Sequence, residues 1–325
     1  MTDDARWLAA AASLAARGQP LSRPNPAVGA LIVRAGRVIA SGWTGAGGRP
    51  HAEAVALDAA RADAAGATLY VTLEPCAHQS PRGPACADLI AESPITRVVI
   101  GCGDPDPRTA GAGIERLRGA GKAADMVPSP EAEAGLAGYL SLRRRGRPFV
   151  TLKLATSLDG AIATAGGESQ WITGEPARRH GHGLRARNDA ILVGGETLRA
   201  DAPRLDVRLP GLEDRSPRRL VLSRSPAPEG WTALADPHAI HGLADVQHLL
   251  VEGGAGAAAA FLRAGLVDRL TIYRAPIVIG GGRPCVADIG LGSLADAHGR
   301  WRLSDRRRLG SDVLEVYDAA PCSPA

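Results

Sequence analysis

Apolar and polar positions along the chain alternate between helical and strand periods. Residues 3–16 read as a helix with Thr2 as its cap and Gly18 as its stop, and residues 28–33 as a strand. Pro24, Asn25 and Pro26 form the connection between them. A second strand, 37–40, runs into a glycine-rich loop that ends at Pro50, and an alanine-rich helical stretch covers 51–65. A strand at 67–73, a helix at 87–91, a buried strand at 97–101 and a helix opening at 113–118 follow. That order predicts an α/β unit.

The pattern changes over 128–148, where a helix at 131–142 ends in Arg143, Arg144, Arg145, Gly146 and Arg147. We place a domain boundary here, giving domains 1–146 and 147–325. The basic run reads as a solvated helix end or linker rather than a nucleic-acid patch. A second α/β unit then restarts with a strand at 149–155, followed by strands near 190–193, 219–222, 248–251, 269–273 and 313–317. Residues 321–325 are expected to fray.

A chain of 325 residues suits two domains, and 45% hydrophobic with 22% charged residues is ordinary for globular proteins. Aromatics at 3% leave no stacking platform for single-stranded nucleic acid. No apolar run reaches the roughly 20 residues that span a bilayer, and Asp3 and Asp4 are unlike a signal peptide. The expectation is a cytoplasmic protein with neither membrane nor nucleic acid as partner. Five cysteines, at 76, 86, 102, 285 and 322, make a poor disulfide framework, so metal binding or bystander thiols are expected. A net charge of +4 suits an anionic small substrate or cofactor.

The chemistry concentrates in His51, Glu53, Cys76 and Cys86. Catalytic zinc takes three protein ligands and keeps its fourth corner for water, and one imidazole with two thiolates supplies that count. Zinc (Zn2+) lowers the pKa of the water, and Glu53 fits as the carboxylate that carries the proton to the ring nitrogen and the leaving amine. Residues two apart on a helix point about 200° apart, so His51 and Glu53 cannot both face one metal from mid-helix. Pro50 therefore places His51 in the first turn. The competing arrangement is a closed structural zinc with His78 as fourth ligand. The general deaminase signature is His-x-Glu followed by Pro-Cys-x-x-Cys, whereas nine residues separate Cys76 from Cys86.

In the second half, Val251-Glu252-Gly253-Gly254 leads from a strand into a helix from Ala255, where backbone amides can hold phosphate. Taken alone, such a passage is more often a tight turn without a ligand.

Asn25-Pro26-x-Val28-Gly29, His51-Ala52-Glu53, Thr72-Leu73-Glu74-Pro75-Cys76-Ala77-His78 and Gly103-Asp104-Pro105 together resemble one family, the bifunctional riboflavin biosynthesis deaminase–reductases. The resemblance extends through Lys153 to Gly160, Gly167 to Gly174, Leu184-Arg185-Ala186 and Asp201-x-Pro203-x-Leu205-x-Val207-Arg208. It implies an N-terminal cytidine-deaminase-like α/β/α domain and a C-terminal dihydrofolate-reductase-like α/β domain. The implied activities are zinc-dependent hydrolysis of a pyrimidine-ring amine on a phosphoribosylaminopyrimidine and NADPH reduction of its ribosyl group to ribityl. His51, Cys76 and Cys86 carry over as zinc ligands and Glu53 as the proton shuttle. Asn25, His78 and Arg82 are candidates to touch the pyrimidine or the ribose phosphate. Ala155, Trp171, Thr197, Asp201 and Gly254 would contact NADPH, while Ser169, Arg185, Leu205, Arg208 and Glu252 would hold the substrate. Arg185 and Arg208 suit the ribose phosphate as planar forks. Family members commonly pair into homodimers.

Two departures stand out. The family usually has eight residues between the cysteines, one fewer than here. Residues 223–250 are shorter than the family's usual run, which carries another strand and helix and helps build the adenine side of the cofactor pocket. Ser223-Arg224 stands where an Asp-Ser pair is common, and Arg224 is a candidate for a 2′-phosphate. The alternatives are a deaminase with a degenerate, reductase-like dimerisation domain, and a nucleic-acid-binding protein built on structural zinc.

Overall fold

The computed structural model describes residues 3–320, in two units that divide between Gly146 and Arg147. The first unit contains α1 (Asp3–Ala15), β1 (Gly29–Arg34), β2 (Arg37–Trp43), α2 (Ala52–Ala60), β3 (Thr68–Val71), α3 (Cys86–Glu92), β4 (Arg97–Ile100), α4 (Ala112–Gly119), β5 (Ala123–Met126), α5 (Pro130–Gly135) and α6 (Ala137–Arg145). Its sheet has the order β2-β1-β3-β4-β5, with β1 antiparallel to both neighbours and β3, β4 and β5 parallel.

Strand alternation sorts the apolar residues into two cores. Leu31, Val33, Tyr70 and Val99 pack with Leu8 and Ala11 of α1. Ala30, Ile32, Leu69, Val71, Val98 and Ile100 pack on the other face with Ala52 and Ala56 of α2, Ile90 of α3 and Leu117 of α4. Covering both faces makes these strands near-continuous apolar runs, and each buried Ile or Leu contributes about 1.5–3 kcal/mol. A Cβ on Gly42 would lie 2.3 Å from the Ala52 carbonyl oxygen, so glycine there lets the start of α2 rest against β2. That approach fixes where His51 begins.

The second unit contains β6 (Phe149–Thr156), β7 (Ala161–Ala163), α7 (Glu175–Arg185), β8 (Ala190–Gly194), α8 (Gly195–Asp201), β9 (Arg218–Leu222), β10 (Trp231–Leu234), β11 (His248–Val251), α9 (Ala255–Arg263), β12 (Arg269–Arg274), β13 (Arg283–Pro284), β14 (Trp301–Leu309) and β15 (Asp312–Ala319). Eight strands form one sheet, β10-β9-β8-β11-β6-β12-β15-β14, parallel from β10 to β12 and antiparallel beyond.

Several expectations change. The helix at 51–65 ends at Ala60 and continues as a 3-10 turn, Arg61–Ala64. The helix at 131–142 is two helices that meet at Leu136. The short run 223–250 still holds a strand, β10, and a 3-10 turn at Pro237–Gly242, whose Leu234 and Ile240 join the core with Leu220 and Leu249. Arg143, Arg144 and Arg145 form the exposed end of α6, as expected, and Arg147 is the exception. Arg143 lies 5.5 Å from the Tyr139 ring centroid, inside the first unit. Arg147 is buried in the second, its two terminal nitrogens donating to Asp268 at 2.6 and 2.8 Å. Thr2, Cys322 and the fraying expected at 321–325 lie outside the described residues.

Candidate active site

The reactive residues of the first unit gather where β3 ends and where α2 and α3 begin. His51 is the N-cap of α2, with extended backbone at φ −73° and ψ 156°, and Glu53 lies in that helix's first turn. Standing just outside the helix, rather than in its first turn as expected, His51 escapes the helical rotation that would turn it away from Glu53. Cys76 lies in the connection after β3, and Cys86 is the first residue of α3.

His51 Nδ1 is 3.2 Å from Cys86 Sγ and 3.6 Å from Cys76 Sγ, and the three ligand atoms lie within 4.8 Å of one another. A tetrahedral zinc with ordinary Zn–S and Zn–N bonds separates its ligand atoms by about 3.5 Å, so the donor set fits the ion. Asn25 Nδ2 lies 3.2 Å from His51 Nε2 and donates to the Gly48 carbonyl at 2.9 Å, which keeps the ring turned toward the sulfurs. Among the described residues no fourth ligand joins the group. His78 faces Thr109 instead, 3.4 Å from its hydroxyl. Three protein ligands are the catalytic pattern; a structural zinc would close the fourth position.

Hydrogen bonding from the Cys86 thiol holds the Cys76 thiol down to about 4. The same bond, with burial, pushes Cys86 upward, so the pair keeps one proton that a bound dication displaces. Burial works against a charged His51, but its bond to Cys76 and the charge of Glu53 prevail and raise its pKa. Glu53 is only 4% exposed, and burial raises its carboxyl above the usual range.

Glu53, His51 and Cys76 line a cavity of about 80 Å³, with Asn25 and His78 also on its wall. Arg82 is absent from that wall, its guanidinium donating to the Gly47 carbonyl at 2.7 Å. Sequence reasoning missed what Glu74 does. Its carboxylate accepts from the amides of Gly111, Gly113 and Ile114 at 3.1, 3.0 and 3.3 Å, tying the start of α4 to the segment that carries Cys76. An acid beside Pro75 and Cys76, preceded by an apolar strand, was the signal for a buried acceptor.

In the second unit a cavity of about 810 Å³ opens at the C-terminal ends of β6, β8, β9 and β11, where open parallel sheets bind ligands. Ala155, Ser169, Trp171, Arg185, Thr197, Asp201, Arg208, Glu252 and Gly254 all line it. Leu205 does not. It is buried against Ile191, Val193 and Leu250, with its backbone in the left-handed region at φ 55°. Arg224 is likewise absent from the wall.

Glu252 accepts both arms of the Arg185 fork at 2.9 and 2.8 Å, with Lys153 Nζ 3.7 Å away. Burial alone would raise its pKa, but Lys153 and Arg185 win and hold it to about 2. Arg185 therefore lines the cavity with its fork engaged by a carboxylate. Arg208 stays half-exposed, 3.4 Å from Asp206. A Cβ on Gly253 would lie 2.5 Å from that of Ala257, so glycine is needed where β11 turns into α9. The Gly254 N–H donates to Thr197 Oγ1 at 3.1 Å. The cavity also exposes residues the sequence reading assigned no role, Lys153, Arg178, His182 and Tyr273. Lys153 and Ala155 share one face of β6, and Tyr273 is paired with Ala155 across β12, so strand alternation carried that signal.

Fold and site define a class: an enzyme that joins a zinc-binding deaminase domain to a domain with its ligand cavity at the top of an open parallel sheet. Residues 1–102 match the family described as the cytidine and deoxycytidylate deaminase zinc-binding region, and residues 148–314 match the RibD C-terminal domain. The chain is 37% identical over 361 residues to riboflavin biosynthesis protein RibD of Escherichia coli (strain K12), covering 95% of this chain and 98% of that one. It is 39% identical over 329 residues to RibD of Mycobacterium tuberculosis (strain ATCC 25618 / H37Rv), covering 96% of each. Its structure is similar to Acinetobacter baumannii RibD, form 1, with a TM-score of 0.86 at 33% identity over 98% of this chain and 99% of that one. A diaminohydroxyphosphoribosylaminopyrimidine deaminase/5-amino-6-(5-phosphoribosylamino)uracil reductase from Thermotoga maritima gives a TM-score of 0.84 at 30% identity, with the same coverage.

The chain belongs to the RibD family of riboflavin biosynthesis proteins and is a bifunctional enzyme, deaminase in its first half and reductase in its second. Among the described residues no helix is long and apolar enough to cross a membrane.

Proposed function

We propose that the first unit hydrolyses the ring amine of 2,5-diamino-6-(ribosylamino)pyrimidinone 5′-phosphate and that the second reduces the product's ribosyl group to ribityl with NADPH. The observation that carries this reading is the three-ligand cluster with the buried carboxylate of Glu53 on the same cavity wall.

His51, Cys76 and Cys86 hold the zinc, which when bound brings the pKa of water toward neutrality. Glu53 would carry one proton of the attacking water to the ring nitrogen and then, as the carbonyl forms, the second proton of that water to the departing amine. Water and the amine become a carbonyl and ammonia. Burial favours this role, because a carboxyl whose pKa is raised exchanges protons more readily near neutral pH.

In the second unit NADPH supplies the hydride, and the protein supplies position and electrostatics. Ala155, Trp171, Thr197, Asp201 and Gly254 hold the cofactor, with Gly254 offering the N-terminus of α9. Ser169, Arg208 and Glu252 hold the substrate, with Arg185 orienting Glu252. Glu252, ionised between two cations, accepts hydrogen bonds from ribose hydroxyls rather than donating a proton. We place the enzyme in the cytoplasm as a homodimer; the nine-residue edge strand β14, mostly exposed, supports pairing.

The test is metal analysis together with a two-step assay on the diaminopyrimidine ribotide, following ammonia release and NADPH absorbance separately. One zinc per chain and both signals are expected. Ammonia without NADPH oxidation would reduce the second half to a dimerisation domain.

A further inference from the structure

A ribotide brings a phosphate dianion to the deaminase cavity, and Arg82 of the loop between the cysteines donates to the Gly47 carbonyl. The cavity wall carries two arginines, Arg108 and Arg143. Both grip one carboxylate, Asp106. Arg108 donates to it through Nε at 2.9 Å and a terminal nitrogen at 2.6 Å, and Arg143 approaches at 3.4 Å. The Asp106 side chain is 5% exposed, against 58% for Arg108 and 44% for Arg143. A buried acid thus anchors two guanidinium groups that are themselves about half exposed.

The neighbouring carboxylates are already bonded. Asp104 accepts from the Tyr139 hydroxyl at 2.7 Å and from the Asp106 amide at 2.9 Å, and Glu74 is held by the amides at the start of α4. One bidentate arginine satisfies Asp106, so the second cation is surplus to that pairing. An exposed ion pair kept for stability alone contributes little. Guanidinium forks match phosphate oxygens. We infer that Arg108 and Arg143 form the phosphate-recognition site of the deaminase and select ribotide over riboside. The inference rests on the deaminase reading above.

The experiment uses the zinc-loaded full chain and compares deamination of the ribotide with that of the dephosphorylated riboside. Wild type favours the ribotide. In Arg108→Gln and in Arg143→Gln that preference falls by about tenfold or more, the value of one charge-assisted hydrogen bond, through KM rather than kcat, and Arg143→Lys restores part of it. On wild type alone, ribose 5-phosphate competes with the ribotide and ribose does not. An unchanged preference in both glutamine variants, or equal inhibition by ribose and ribose 5-phosphate, overturns the assignment. A zinc-loaded wild type that deaminates neither compound refutes the deaminase reading itself.

Discussion

The backbone N–H of Cys86 donates to Cys76 Sγ at 3.3 Å, so the first residue of α3 both supplies one thiolate and stabilises the other. An amide at a helix start favours negative charge on the sulfur it meets. The ten-residue step from Cys76 to Cys86 is therefore closed by a backbone contact, and the extra residue of the loop is absorbed without separating the ligands.

Metal retention follows from that contact. Cys86→Ser keeps the amide but removes one thiolate, and zinc affinity is expected to fall by more than about 100-fold. Asn25→Ala frees the His51 ring and costs about 10–100-fold, as losses of outer-shell partners do. Competition with a zinc chelator measures both. Wild-type affinity in Cys86→Ser would exclude it as a ligand.

The Arg185–Glu252 pair gives a stability prediction. Arg185→Leu leaves Glu252 buried with Lys153 at 3.7 Å as its remaining partner, at an expected cost of about 3 kcal/mol in urea unfolding. The double variant Arg185→Leu/Glu252→Leu recovers much of that loss, because no buried charge is left. A double variant less stable than the single one would contradict the account.

Acid sensitivity should arise partly at His248. Burial, helped by Arg269, lowers it from 6.5 to about 4. Between these values the unfolded chain binds more protons than the folded one. The stabilising contribution is thus complete above about pH 6.5 and declines as the pH falls toward 4, by at most about 1.4 kcal/mol per pH unit. His180 and His182, also lowered by burial, add in the same direction. Urea midpoints at pH 7 and pH 5 should differ more for wild type than for His248→Leu. Equal differences would remove His248 from the effect.

Much of this was legible in the sequence because the residues concerned do local work. β1, β3 and β4 are short apolar runs buried on both faces, and His51, Glu53, Cys76 and Cys86 stand at element boundaries that Pro50 and the strand pattern mark. What escaped depends on distant partners. β10 and β14 lie at the sheet edges with exposed residues, so no alternation betrays them. Arg147 looked solvated because its partner Asp268 is 121 residues away, and Arg185 looked free because Glu252 is 67 away. Leu205 looked like a contact on the strength of its motif, whereas the strand core claims its side chain.

The most direct measurement is made on Glu53→Gln, a change that keeps the shape of the side chain and removes its capacity to carry a proton. The account predicts one zinc per chain, as in wild type, with ammonia release lost and NADPH oxidation on the deaminated ribotide intact. Ammonia release near the wild-type rate from the zinc-loaded variant would contradict it.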